Sequence, residues 1–223
     1  MKAYIARRFH PVIAGIAFCL ATVNSPAIQF FTDDFESGIG QWSGKSGGAS
    51  HGITVADPLN SGHGQVLTFT ALNHGGDIYT TSSISPGQGF VLSFDYLGLP
   101  GLGGNPSDLG GFIGISSNLN PVNLGSDEFW LAGSENNYNV VQVLPGDGTW
   151  HHYDLLIPNS PLASFHIMIE DYDFSGGVPG DVFFDNVRIA SVPEPGMPGL
   201  FAGALLIFGR PAMARVRRTF GST

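Results

Sequence analysis

The sequence predicts an all-β chain whose middle section folds as a two-sheet antiparallel sandwich, and three observations predict it. Apolar residues recur with period two across most of residues 28–190, clusters of Gly, Pro, Asn, Asp and Ser separate those runs, and no stretch there carries a sustained helical period with caps. Glycine at 32 and proline at 15 of 223 residues also weigh against a helical bundle. Two terminal segments, 1–27 and 191–218, break the pattern, and each is expected to hold one short apolar helix.

At the N-terminus, Lys2, Arg7 and Arg8 precede the apolar run Val12 to Leu20, and small residues follow, with Ser25 and Ala27 in an S-x-A cleavage position. Basic, apolar and small in that order is the pattern of a secretory signal peptide, so 1–27 is expected as a removable export helix. The alternative, an uncleaved anchor, needs ~20 apolar residues to span a bilayer, more than this run holds. Cys19 is the only cysteine and sits inside the run behind bulky Phe18, where it reads as an ordinary apolar residue. The exported chain then contains no disulfide, and its stability falls to a core or a metal.

Along the middle section, Phe90, Leu92, Phe94 and Tyr96 alternate with Val91, Ser93, Asp95 and Leu97, and similar runs occur at Gln65 to Leu72, Phe112 to Ser116, Trp150 to Ile157, Phe165 to Glu170 and Val182 to Ile189. Successive side chains of a strand point to opposite faces, so each run reads as a strand with one buried face. Asp57 to Gly62 and Ser175 to Gly180 are turn clusters between them. Gly98 to Gly111 is the longest irregular loop and an expected place for contact.

Charge narrows the partners. All eighteen acids lie between Asp33 and Glu194, whereas seven of the nine Lys and Arg crowd into the two ends, leaving only Lys45 and Arg188 in the sandwich. A phosphate-binding surface needs a cationic footprint that this section lacks, so no nucleic-acid partner is expected.

The C-terminus runs Val192-Pro193-Glu194-Pro195, then an apolar segment over 199–209, then a basic tail over 210–218. This order resembles the PEP-CTERM sorting signal of Gram-negative bacteria that make exopolysaccharide. The resemblance implies that Val192, Pro193, Glu194 and Pro195 mark the processing region, that the apolar segment inserts transiently into the membrane with its arginines cytoplasmic, and that an exosortase-like membrane protease is the partner. Pro198 and Arg210-Pro211 shorten the apolar stretch below a full span. The implied course is export, an inner-membrane-tethered precursor, and release to the cell surface or extracellular matrix.

Three further motifs bear on the sandwich. Asp33-Asp34-Phe35-Glu36-Ser37-Gly38 with Trp42, Gly148 to Leu155 with Ile157-Pro158, and Val182 to Ile189 resemble the jelly-roll domains of carbohydrate-binding modules with a galactose-binding-like fold. Strict alternation on the last strand places Asp185 on one face with Phe183, Val187 and Ile189, away from Arg188. A buried carboxylate without a cation costs several kcal/mol, and a hard oxygen-seeking ion such as Ca²⁺ would relieve it. In the resembled modules a structural calcium joins the first and last strands, which implies Glu36 and Asp185 as ligands here, with Asp34 and Asp57 behind them. The alternative leaves Asp185 near a strand end, reaching water. Asp171 to Gly176 opens like a calcium loop, but Val182 stands where its last carboxylate belongs, so it reads as a solvated acidic turn.

Trp42 and Trp150 fall inside the structural motifs and are expected in the core. Trp130 and Tyr138 lie in a less regular stretch beside amides and carboxylates, the mixture a sugar-binding surface needs, and Tyr96 fits either class. Evidence of catalysis is thin: Gly44 to Gly48 fits G-x-S-x-G without a strand-to-helix elbow, it misses the P-loop pattern, and the seven histidines show no metal spacing. The function expected is therefore an exported, non-catalytic surface or matrix protein that associates with extracellular polysaccharide through Trp130, Tyr138 and Tyr96. A structural matrix protein without a small ligand and a glycan-active hydrolase are the alternatives.

Overall fold

The computed structural model describes residues 26–72, 78–100, 109–134, 139–172 and 178–192. Residues 1–25 of the signal segment, Pro193, Glu194, Pro195, the apolar segment, the basic tail and Tyr138 lie outside the described residues. Among the described residues no helix is long and apolar enough to cross a membrane.

Among the described residues, twelve strands form two six-stranded sheets: β1 (Gln29–Asp33), β2 (Trp42–Ser43), β3 (Gly52–Ala56), β4 (Gln65–Phe69), β5 (Ile78–Thr80), β6 (Phe90–Gly98), β7 (Gly111–Ser116), β8 (Glu128–Gly133), β9 (Gln142–Val143), β10 (His151–Ile157), β11 (His166–Asp171) and β12 (Val182–Ser191). The first sheet runs β10-β6-β12-β4-β3 with β1 also on β12, and the second runs β2-β5-β11-β7-β8-β9. Every pairing is antiparallel except β8 with β9. Lys45–Gly47 is a single 3₁₀ turn. The protein is thus a two-sheet β-sandwich.

The core follows the alternation. Phe90, Leu92, Phe94 and Tyr96 of β6 join Ile113 and Ile115 of β7, Ile167 and Ile169 of β11, and Val182, Phe184, Val187 and Ile189 of β12 in one buried cluster between the sheets. Burying each such side chain contributes about 1.5–3 kcal/mol, so this interior supplies the stability that no disulfide provides. The first motif adds a local anchor. The Asp33 carboxylate accepts from the Phe35 N–H at 2.9 Å and the Trp42 indole N–H at 2.7 Å, holding Phe35 at a φ of 54° and stacking its ring on Trp42.

β12 departs from the expected alternation. Its register against β6 slips between Asp185 and Arg188, where Asn186 takes a φ of 51°. The extra residue of this β-bulge reverses the facing of everything after it. Val182 and Phe184 point inward before it, and Val187 and Ile189 point inward after it. Asp185 therefore does not share the face of Val187 and Ile189. It lies with Phe183 on the outer face of the first sheet, directly opposite Asp95 of β6.

Candidate functional site

Strand register assembles the site on that outer face. Asp95 on β6 has Asp185 of β12 on one side and His152 of β10 on the other. Like charges directly opposite each other on neighbouring strands are destabilising, and both acids are almost enclosed, Asp95 at 8% and Asp185 at 1% exposure. His63, from the turn between β3 and β4, enters from above. Its Nδ1 stands 2.9 Å from Asp185 Oδ2 and 3.7 Å from Asp95 Oδ2.

The remaining oxygens are held in place. Asp95 Oδ1 meets His152 Nδ1 at 2.6 Å, and Asp185 Oδ1 accepts from the Asn186 N–H at 2.7 Å. The Asn186 side-chain amide donates to both Oδ2 atoms, at 2.7 Å to Asp95 and 3.0 Å to Asp185. The bulge makes this possible, because the left-handed turn at Asn186 brings its amide back over the preceding residue. Burial pushes the Asp185 carboxyl up to about 6 against the opposing pull of its His63 and Asn186 bonds. Hydrogen bonding to Asp95 raises His152 above the usual imidazole value.

An aromatic wall fixes His63. Its ring stacks on Trp150 at 4.0 Å between centroids, and the Trp150 indole N–H donates to Asp57 Oδ1 at 3.1 Å. Asp57 in turn accepts from the Leu59 N–H and from the Ser61 N–H and hydroxyl, closing the turn that carries His63. Trp150 thus packs on the outer face with Val66, Leu97 and Phe183 rather than between the sheets.

A groove of about 710 Å³ lies beside the cluster, lined among others by Gln29, Ser93, His152, Asp154, Asn186 and Arg188. Ser93 donates to Asp154 Oδ1 at 2.5 Å, while His152 Nε2 lies 3.5 Å from Asp154 Oδ2. The hydroxyl is bonded to the carboxylate and not to the imidazole, so these three residues do not form the nucleophile–base relay of a hydrolase.

Of the residues expected to hold calcium, Asp185 lies in the cluster with His63 and Asp95. Among the described residues, the one grouping of three or more candidate His, Cys, Asp or Glu metal ligands is His63, Asp95 and Asp185. Glu36 accepts from the Gln65 N–H, Asp34 from the Glu36 N–H, and Asp57 is consumed by its turn. The aromatic expectations are corrected too. Trp130 belongs to a strand, β8, where it is 5% exposed and meets Phe112 edge to face at 5.7 Å. Tyr96 is fully buried on the inner face of β6 against Phe184. Neither presents a ring face to a sugar; Trp42 is in the core as expected. His63, Asp95, His152 and Asn186 were not singled out from the sequence. The period-two pattern of β6 does set Asp95 apart from its apolar neighbours, but only register shows what faces it.

The site is an acid–imidazole cluster on the outer face of a β-sandwich. No family model matches the chain and no curated protein matches it. Among solved structures, it is similar to the K3 cleaved adhesin domain of Lys-gingipain from Porphyromonas gingivalis W83, at 16% identity and a TM-score of 0.42, over 75% of this chain and 100% of that one. It is likewise similar to the K1 cleaved adhesin domain of the same protein, at 15% identity and a TM-score of 0.44, over 73% of this chain and 98% of that one. Identities and scores this low assign neither ligand nor activity.

Proposed function

We propose that this chain is an exported, non-catalytic β-sandwich of jelly-roll type that acts at the cell surface or in the extracellular matrix of a Gram-negative bacterium and associates there with polysaccharide. The observation that carries the reading is the groove along β1, β12, β6 and β10. Gln29, Ser93, Asp154, Asn186 and Arg188 are among the residues that line it, polar side chains of the kind that sugar hydroxyls require. Export and sorting rest on the terminal segments, with an exosortase-like membrane protease acting on an inner-membrane-tethered precursor. Absence of catalysis is supported by the Ser93–Asp154 pairing and by the enclosure of Asp185 at 1% exposure, beyond reach of a sugar ring.

The test is a glycan array and polysaccharide pull-down with the full chain, repeated with Arg188→Ala and Asp154→Asn. Both residues are exposed and leave the core intact. Retention of an acidic or neutral polysaccharide that falls severalfold in either variant supports the reading. Failure to retain any glycan overturns it in favour of a structural matrix protein. That second reading is favoured by the exposed apolar side chains Val122, Leu124, Val141 and Val143 around the β8–β9 edge, which suit contact with another protein.

A further inference from the structure

We propose that His63, Asp95 and Asp185 form a binding site for one divalent transition-metal ion of the zinc class. Their ligand atoms all lie within 4.8 Å of one another. A tetrahedral ion with bonds of about 2.0–2.1 Å holds its ligands about 3.3 Å apart, and the separations of His63 Nδ1 from Asp185 Oδ2 at 2.9 Å and Asp95 Oδ2 at 3.7 Å bracket that value. The convergence is selective. Each Oδ2 turns toward His63 and also accepts from the Asn186 side-chain amide, while each Oδ1 is held by a different partner, His152 for Asp95 and the Asn186 N–H for Asp185. Outer partners of this kind orient the ligating carboxylates of metal sites.

Charge points the same way. Two enclosed carboxylates face each other across adjacent strands, and the basic side chains beside them are the imidazoles of His63 and His152. A doubly charged ion neutralises both acids and leaves His63 neutral, the state in which its Nδ1 can ligate. The donor set decides which ion. One imidazole nitrogen with two carboxylate oxygens suits zinc or its neighbours, whereas calcium takes six to eight oxygen ligands. The calcium that the sequence resemblance implies therefore does not fit these residues. Three protein ligands leave a fourth position open, and the inference stands independently of polysaccharide association.

The experiment uses the full chain in mild detergent, stripped with chelator, exposed to Zn²⁺, Co²⁺ or Ca²⁺, desalted, and analysed for bound metal. The expected result is one Zn²⁺ retained per chain with a raised Tm, and a Co²⁺ form with the intense visible bands of tetrahedral coordination. His63→Gln should abolish the bands and the retention while circular dichroism stays unchanged. His152→Ala, which removes the bond that orients Asp95 and no proposed ligand, should weaken Zn²⁺ by about ten- to a hundredfold and keeps the test decisive if His63→Gln does not fold. Failure to retain Zn²⁺, retention undiminished in both variants, or Ca²⁺ held in its place overturns the proposal. Glycan retention is read separately, so either idea can fail alone.

Discussion

At the scale of single residues, the acids of this chain are divided by what they bond, and their spacing in the sequence does not show it. Asp33 and Asp57 each close a turn and hold an indole N–H, Trp42 for the first and Trp150 for the second. Burial raises the Asp57 carboxyl, but bonds from Leu59, Ser61 and Trp150 outweigh that and hold it well below the usual carboxylate range. A folded-state value below the unfolded one means stability that is present above about pH 4 and lost as pH falls through the folded value. Asp57→Asn is therefore expected to lower Tm markedly at pH 7, with the gap to wild type closing as pH drops below about 4. Thermal melts across pH 2–7 check this; a gap that is constant with pH would mean that the Asp57 charge contributes nothing. Because Asp57 holds Trp150, and Trp150 stacks on His63, the same change should loosen the imidazole of the cluster.

At the scale of elements, one residue decides which way the last strand faces. Asn186 at a φ of 51° supplies the bulge in β12, and both halves of that strand send apolar side chains inward because of it. Asn tolerates the left-handed region better than β-branched residues do. Asn186→Gly is expected to keep the fold while losing the amide bonds to Asp95 and Asp185. Asn186→Val should cost about 1–2 kcal/mol from backbone strain alone. Deleting Asn186 should abolish folding, since it would swing Val187 and Ile189 out to solvent. Urea titrations of the three variants followed by circular dichroism test the order. A deletion mutant as stable as the valine variant would show that the bulge is dispensable. Strand β8 shows a different override: Glu128–Gly133 mixes acidic, aromatic and small residues without clean alternation, yet it pairs with β7 across a register shift and Trp130 is buried.

At the scale of the whole molecule, the sandwich and the proposed address are separate in sequence, and the second is tested in cells. Replacing Pro193, Glu194 and Pro195 with alanines is expected to trap a full-length, membrane-associated form, visible by immunoblot of fractionated cells. Unchanged size and location in that variant would remove the sorting assignment. Much of the sandwich was legible beforehand. Period two over Phe90 to Leu97, Trp150 to Ile157 and Val182 to Ile189 identifies β6, β10 and β12, because pleating puts alternate side chains on one face and water sorts them. The scarcity of Lys and Arg between the ends was equally plain, and it already posed the question of what neutralises a buried acid. Short strands such as β2, β5 and β9 escaped, since two or three residues carry no period. The cluster escaped for a deeper reason. His63, Asp95, His152 and Asp185 come from a turn and three strands distant in the chain, and their meeting depends on the register of β10, β6 and β12 and on a bulge that alternation alone does not foresee. Sequence by itself determined which residues seek the interior, through hydrophobicity and pleat. Only the tertiary structure decided which polar side chains face one another, because that is set by hydrogen-bonded pairing between strands that the linear order leaves free.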